Sequence, residues 1–559
     1  MNDIRRTILW VVFAFSMVLL WDKWQIYNGG KALFFPTPPT ASGAPSGSSS
    51  GGAGADLPQP ATTAAGAVSA PAMPGLPSAA HGAATASAAL ITLSSDLLKL
   101  SIDPVGATIM RAEFLKHLDL TDKTRNFTLF DRSPERRYFA QSGLIGGDFP
   151  NHASVMAFSG ETVLKPGANE LSARFESAEI GGVRLVKTLT LQRGSYDVAI
   201  KHEIVNSGAK AASPQLYVQL VRDGTPPPGE SSFYYTFTGP AVYTEAKKFQ
   251  KVEFSEIEKN KATFEAKASD GYVAIVQHYF ASAWLLPEKT ARENFMRKIE
   301  NGLFSAGSIV PLDSIAPGAS RTVQARLFVG PQEEKVLEAV APGLELVKDY
   351  GWFTILAKPL YWLLDRLYGY LLNWGWAIVA LVVLLKAAFY WLNAQAYRSM
   401  AKMKAINPKI MEMRERLKDK PQLMQQEMMR IYREEKVNPM GGCFPILVQI
   451  PVFIALYWVL LSSVEMRNAP WALWIHDLSA PDPWFILPVV MTGTTMLQTW
   501  LNPKPPDPLQ AKLMWYMPLA FSVMFFFFPS GLVLYWITNN ILSIAQQWLI
   551  NKRMGVIGK

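Results

Sequence analysis

From residue 374 to the C-terminal tail the chain carries five apolar segments, at roughly 374–392, 443–463, 484–501, 513–528 and 530–550, and the only ionised side chain in all five is Lys386. Few folds accommodate that pattern. In water each segment would need burial on every side, whereas in a bilayer a run of about 17 to 25 apolar residues makes one crossing. Several of the five sit at the short end of that window, which a locally thinned bilayer accommodates. A sixth run, Ile8 to Trp21, follows Arg5 and Arg6 and ends at Asp22, Lys23 and Trp24 without an adjacent small-x-small cleavage site. It reads as an uncleaved signal anchor over residues 1–24, the alternative being a cleaved signal peptide. The expected fold is an α-helical membrane bundle of six transmembrane helices.

The loops set its orientation. Residues 393–442 hold eleven Lys and Arg, whereas 464–483 hold only Arg467. Basic loops stay on the cytoplasmic side, so that loop, the segment "NPKPPDPLQAK" (502–512) and the short basic tail 552–559 are expected inside. Both termini are then cytoplasmic, and everything between the first two spans lies in the periplasm. The net charge of +9 is read as this topology, because no arginine-rich tract or nucleic-acid motif accompanies it. A single cysteine, Cys443, allows no intramolecular disulfide and gives no Cys-based zinc or redox site. An outer domain must be held together by its core.

Between those two spans the chain changes character twice. Residues 25–88 form a linker, and from 36 onward it is almost wholly Ala, Pro, Gly, Ser and Thr with Asp56 as the lone ionised side chain, a composition that buries no core. From 89 to 335 the hydrophobic period becomes two. "VRLVKTLTLQRGSYDVAIKHEIVN" (183–206) alternates through Leu185, Lys187, Leu189 and Leu191, turns at Arg193, Gly194 and Ser195, and returns through Val198, Ile200 and His202; similar runs predict one large antiparallel all-β sandwich. His117, His152, His202 and His278 are scattered without metal-ligand spacing and read as surface or satisfied core histidines. Over 336–372 the period turns helical, mixing leucines and aromatics with Lys348, Asp349, Lys358, Asp365 and Arg366. That suits a helix along the membrane surface, or an ordinary packing helix.

Lys386 lies twelve residues beyond Trp374, about 18 Å along a helix. A lysine near the centre of a span costs about 2.5–3.5 kcal/mol, so it either snorkels to the interface or faces a wet cavity inside the bundle. Polar, uncharged candidates for such a cavity are Gln449, then Thr492, Thr494, Thr495 and Gln498, then Tyr535, Thr538, Asn539, Asn540 and Ser543; each could equally bridge helices. No Asp, Glu or His occurs in the five segments, which leaves no acidic proton relay. A lone cation in a polar groove would attract acidic or polar segments and lower the cost of moving them partway across. No catalytic residue, metal ligand or cofactor is expected. The basic loop reads as a helical hairpin over 394–440, turning at Lys420 and Pro421 and holding eight of the 21 methionines. Met403, Met411, Met424 and Met428 are candidate contacts for apolar partners, or simply the hairpin core. A secondary transporter for a small anion, an outer-domain enzyme and a passive assembly scaffold are the rival functions.

"AQAYRSMAKMKAINPKI", "EEKVNPMGGCFPILVQIPVFIALYW", "APWALWIHDLSAPDPWFILP" and "FPSGLVLYWITNN", in this order and at fitting distances, resemble the YidC/Oxa/Alb family of membrane-protein insertases, most densely across about 350–550. The resemblance implies a non-enzymatic insertase and chaperone of the bacterial inner membrane that handles nascent membrane proteins. Its implied partners are the Sec translocon, the ribosome and signal recognition machinery, and lipid. It implies a five-helix core over 373–551 around a hydrophilic groove and a mobile cytoplasmic hairpin. The outer domain would be a supersandwich similar in fold to mutarotases. Lys386 matches the family's basic groove residue, usually Arg, and Tyr535 and Trp536 match its substrate-facing aromatic pair. With Gln449, Gln498 and Asn539 they make the expected groove.

Overall fold

The computed structural model describes residues 89–119, 122–133, 136–227, 236–299, 302–417, 420–435, 444–502 and 508–554. The expected signal anchor, the linker, Cys443 and the end of the tail lie outside the described residues. The chain divides into two compact units, Thr40–Lys348 and a second made of Met1–Pro39 with Asp349–Lys559.

The first unit is a sandwich of two sheets, each of nine strands among the described residues. Alternation drives it: the strand Asp197–Asn206 buries every second residue from Val198, and Glu170–Ser177 does the same from Leu171. The expected hairpin forms, with Val183–Gln192 pairing antiparallel to Asp197–Asn206 so that Lys187 faces His202 and Leu191 faces Val198. Gly194 takes a φ of 72° in the turn, a conformation open to glycine at little cost. Lys187 keeps the inward phase of its leucine neighbours and is fully buried, its Nζ donating to the carbonyls of Gly106 (2.6 Å) and Ser142 (2.7 Å). The unit runs past its last strand, Ser320–Pro331, through the helix Glu334–Val340, where Leu337 and Leu344 are fully buried and the Tyr272 hydroxyl donates to the Gly343 carbonyl at 2.8 Å. Helical segments packed on the sandwich thus carry this unit on to Lys348.

The second unit is helical: α1 (Thr354–Leu371), α2 (Trp374–Ala388), α3 (Tyr390–Arg416), α4 (Pro421–Glu434), α5 (Phe444–Ser462), α6 (Ile486–Leu501), α7 (Pro508–Met524) and α8 (Ser530–Arg553). Its core draws Tyr361 and Leu364 from α1, Ile378 and Leu381 from α2, Leu456 and Val459 from α5, Met491 from α6 and Val533 from α8. The outer surface is also apolar: Trp376, Val383 and Leu384 on α2 and Leu513, Tyr516, Phe521 and Val523 on α7 are exposed. Helices apolar on both faces are not the amphipathic helices of a water-soluble bundle.

The expected second span, 374–392, does not run through as one helix. It ends at Ala388, and α3 departs at 68°. By length and composition no single helix among the described residues is long and apolar enough to cross a membrane; the bent α2–α3 pair passes together, and Gln449–Ser462 and Ala511–Phe527 are shorter apolar stretches. α6 has only 16 residues, whereas α8 is long enough but its asparagines and glutamines dilute its hydropathy. α4 packs on α3, with Ile406, Ile410 and Met413 at the centre.

Candidate functional site: a cleft around Lys386

The bend at Phe389 places Lys386 in the last turn of α2. A helix C-terminus carries partial negative charge and unsatisfied carbonyls, so a cation there is favoured before any ligand is considered. The inner face of α2 is set by its apolar spacing, with Trp374, Ile378, Leu381 and Val382 buried. The next turn on that face brings Leu385 and Lys386 to the edge of the core.

There the chain forms a cleft of about 440 Å³ including its open mouth, lined by Val382, Leu385, Lys386, Phe389, Leu392, Asn393, Gln449, Val452, Tyr535 and Asn539. None of these is acidic. Lys386 Nζ donates to Ser543 Oγ at 2.8 Å, and Ser543 Oγ donates to the Asn539 carbonyl at 2.7 Å. Gln449 Nε2 donates to Asn539 Oδ1 at 2.7 Å. Lys386 from α2, Gln449 from α5 and Tyr535, Asn539 and Ser543 from α8 therefore meet at one place. The cleft offers one positive charge and a few neutral polar groups in an otherwise apolar wall. Such a wall can attract a carboxylate and tolerate an apolar chain. Among the described residues no group of three or more His, Cys, Asp or Glu could hold a metal.

Other candidates separate from this cleft. Trp536 is half-buried beside Tyr535 and packs on Phe453 (4.7 Å between ring centroids) and Phe525 (5.0 Å). Gln498 is half-buried on α6 and is not among the lining residues. Thr494 and Thr495 accept from Asn540 Nδ2 at 3.2 and 3.0 Å and join α6 to α8, while Thr492 and Thr538 bond carbonyls one turn back in their own helices. Only Thr494, Thr495 and Asn540 among these bridge two helices. In the hairpin, Met403, Met424 and Met428 pack against its own core and Met411 is exposed. Asn393, which the sequence reading passed over, lines the cleft and is buried. It stands seven positions after Lys386 but on the far side of the α2–α3 bend, so no helical spacing in the sequence marked it.

Comparison with known proteins bears on both units. The family model described as the YidC periplasmic domain matches residues 90–363, and that of the 60Kd inner membrane protein matches 366–556. A membrane protein insertase YidC from Janthinobacterium sp. (strain Marseille) is 50% identical over 578 aligned positions, covering 99% of this chain and 100% of the relative. One from Cupriavidus necator is 53% identical over 554 positions, covering 99% and 98%. A solved structure, an active YidC insertase crystal structure with its first transmembrane domain resolved, is 18% identical with a TM-score of 0.39, covering 82% of this chain and 92% of that one.

Proposed function

Because this chain belongs to the YidC family of membrane protein insertases, we propose that the cleft around Lys386 is where the polar end of a substrate enters. The chain is a non-enzymatic insertase of the bacterial inner membrane, acts on nascent membrane proteins, and carries a periplasmic domain that contains the β sandwich. That assignment replaces the transporter, enzyme and scaffold alternatives.

The observation that carries the reading is the placement of one ammonium group, tethered to a neutral hydroxyl in a cleft with no acidic lining residue. A carboxylate entering from a substrate gives the ammonium a charge-assisted partner that the resting cleft does not supply. The substrate's apolar segment can then leave toward lipid across the exposed apolar faces of the helices. Transfer of that segment, at about 25 cal/mol per Å² of apolar surface, is the larger driving term. Lysine acts here as a point charge, so arginine should substitute for it.

Gln449, Asn539 and Tyr535 are assigned to the wall that the substrate passes, and Trp536, outside that lining, to its approach beside Phe453. Gln498 is assigned a weaker role deeper along α6. Met411 is assigned to direct contact with apolar segments at the hairpin; Met403, Met424 and Met428 would contact them only if α3 and α4 part. Six membrane crossings with both termini in the cytoplasm are supported by the apolar outer faces and by the eleven basic residues of 393–442. The Sec translocon, the ribosome with its signal recognition machinery, and surrounding lipid are the proposed partners.

A photo-crosslinking residue placed in turn at Gln449, Asn539, Gln498 and Leu513 during insertion of a short single-span substrate tests the route. Crosslinks at 449 and 539 that exceed those at Leu513, on the outer face of α7, are expected. Equal labelling at all four would remove the cleft from the pathway.

A further inference from the structure

Ser543 is buried on α8 at 2% exposure, and both sides of its hydroxyl are engaged. Its oxygen accepts from Lys386 Nζ at 2.8 Å, and its hydrogen goes to the Asn539 carbonyl at 2.7 Å. One hydroxyl therefore joins the end of α2 to α8. The bend matters because a lysine in the last turn of a helix has a long, flexible stem and would ordinarily extend past the helix end toward water. In this protein the ammonium is instead drawn back against α8, beside Asn539 and Gln449.

We propose that Ser543 is a positioning residue that holds the Lys386 ammonium inside the cleft until a substrate carboxylate takes its place as partner. This rests on the reading of Lys386 as the group that meets the substrate. The hydroxyl is suited to the task. A neutral acceptor bonded to a backbone carbonyl orients the ammonium yet competes weakly with a carboxylate, whereas an acidic partner would neutralise it permanently. A serine hydroxyl that already gives its proton to the carbonyl one turn back presents its oxygen lone pairs in a fixed direction. Substrate binding exchanges one hydrogen bond for a stronger one without a change of protonation.

The test is a double-mutant cycle in liposomes containing the full-length protein. Wild type, Ser543→Ala, Lys386→Ala and the double variant are compared on two substrates, one with an acidic outer segment and one with its Asp and Glu replaced by Asn and Gln. Ser543→Thr is the conservative control. Ser543→Ala is expected to slow insertion of the acidic substrate by about tenfold, because the ammonium is then inside the cleft only about a tenth of the time, with Thr recovering most of it. The neutral substrate should change less than twofold, and the double variant should match Lys386→Ala alone. Acylation of Lys386 by a water-soluble amine reagent, read by peptide mass spectrometry against Lys402, should quicken in Ser543→Ala, because the released ammonium reaches water. Equal losses on both substrates, an added loss in the Lys386→Ala background, or unchanged acylation would make Ser543 a packing residue and overturn the proposal while leaving Lys386 its role. An inert Lys386→Ala would overturn both.

Discussion

At the scale of single residues, Lys187 and His202, both buried in the sandwich, respond to burial in the same sense. Lys187 sits between the sheets with only backbone carbonyls as acceptors, and burial lowers its pKa to about 7. His202 beside it is lowered to about 3 by burial and then by the charge of Lys187. For each, the unfolded chain binds the proton at a pH where the folded chain does not, so stability rises with pH through the gap between folded and unfolded values. His202 contributes between pH 3 and 6.5 and Lys187 between pH 7 and 10.5. Urea pulse proteolysis of the full-length protein at pH 7, 8 and 9 should show the sandwich gaining about 1.4 kcal/mol per pH unit from Lys187. Lys187→Met should flatten that slope. A slope that survives the substitution would assign it to other groups. Lys187 and Lys386 were both visible in the sequence as charges inside apolar patterns. What the sequence could not show was the partner: two carbonyls distant in the chain for one, a serine on another helix for the other.

At the scale of elements, the junction leading into α2 decides where Lys386 lies. Asn373 Oδ1 accepts from the Trp376 amide at 3.0 Å, capping α2, and its Nδ2 donates to the carbonyls of Pro470 (3.3 Å) and Trp471 (3.0 Å). One turn in, Gly375 lies under the Trp471 ring, where an added Cβ would be 2.2 Å from Cδ1. Gly to Ala inside a helix ordinarily stabilises by about 0.5–1 kcal/mol, so the sign is diagnostic. Gly375→Ala should destabilise the helical unit by about 1–3 kcal/mol through overpacking, read as a lower Tm in detergent and faster proteolysis of 467–485. A higher Tm would show that the ring moves freely. Asn373→Ala should cost about 1 kcal/mol from the cap alone. Period-two alternation made the strands legible, because burial follows sequence phase directly. The α2–α3 bend was not legible: no Pro or Gly marks it, since the residues around Phe389 are Leu385, Lys386, Ala387, Ala388, Tyr390 and Trp391. Both sides of the bend contact α8, more than a hundred residues away, through Lys386 to Ser543 and the Tyr390 carbonyl to Gln546.

At the scale of the whole molecule, the division of labour follows from composition. A cysteine-poor outer segment holds together by two nine-stranded sheets, and a helical unit exposes apolar side chains outward while setting Lys386 among Gln449, Asn539 and Ser543. The most direct measurement is insertion into liposomes containing only this purified protein, with a single-span substrate bearing a short acidic outer segment, for wild type, Lys386→Arg and Lys386→Ala. Insertion by wild type and Lys386→Arg, with a loss of at least tenfold in Lys386→Ala, is the expected result. Equal insertion by all three would contradict a charge-dependent cleft.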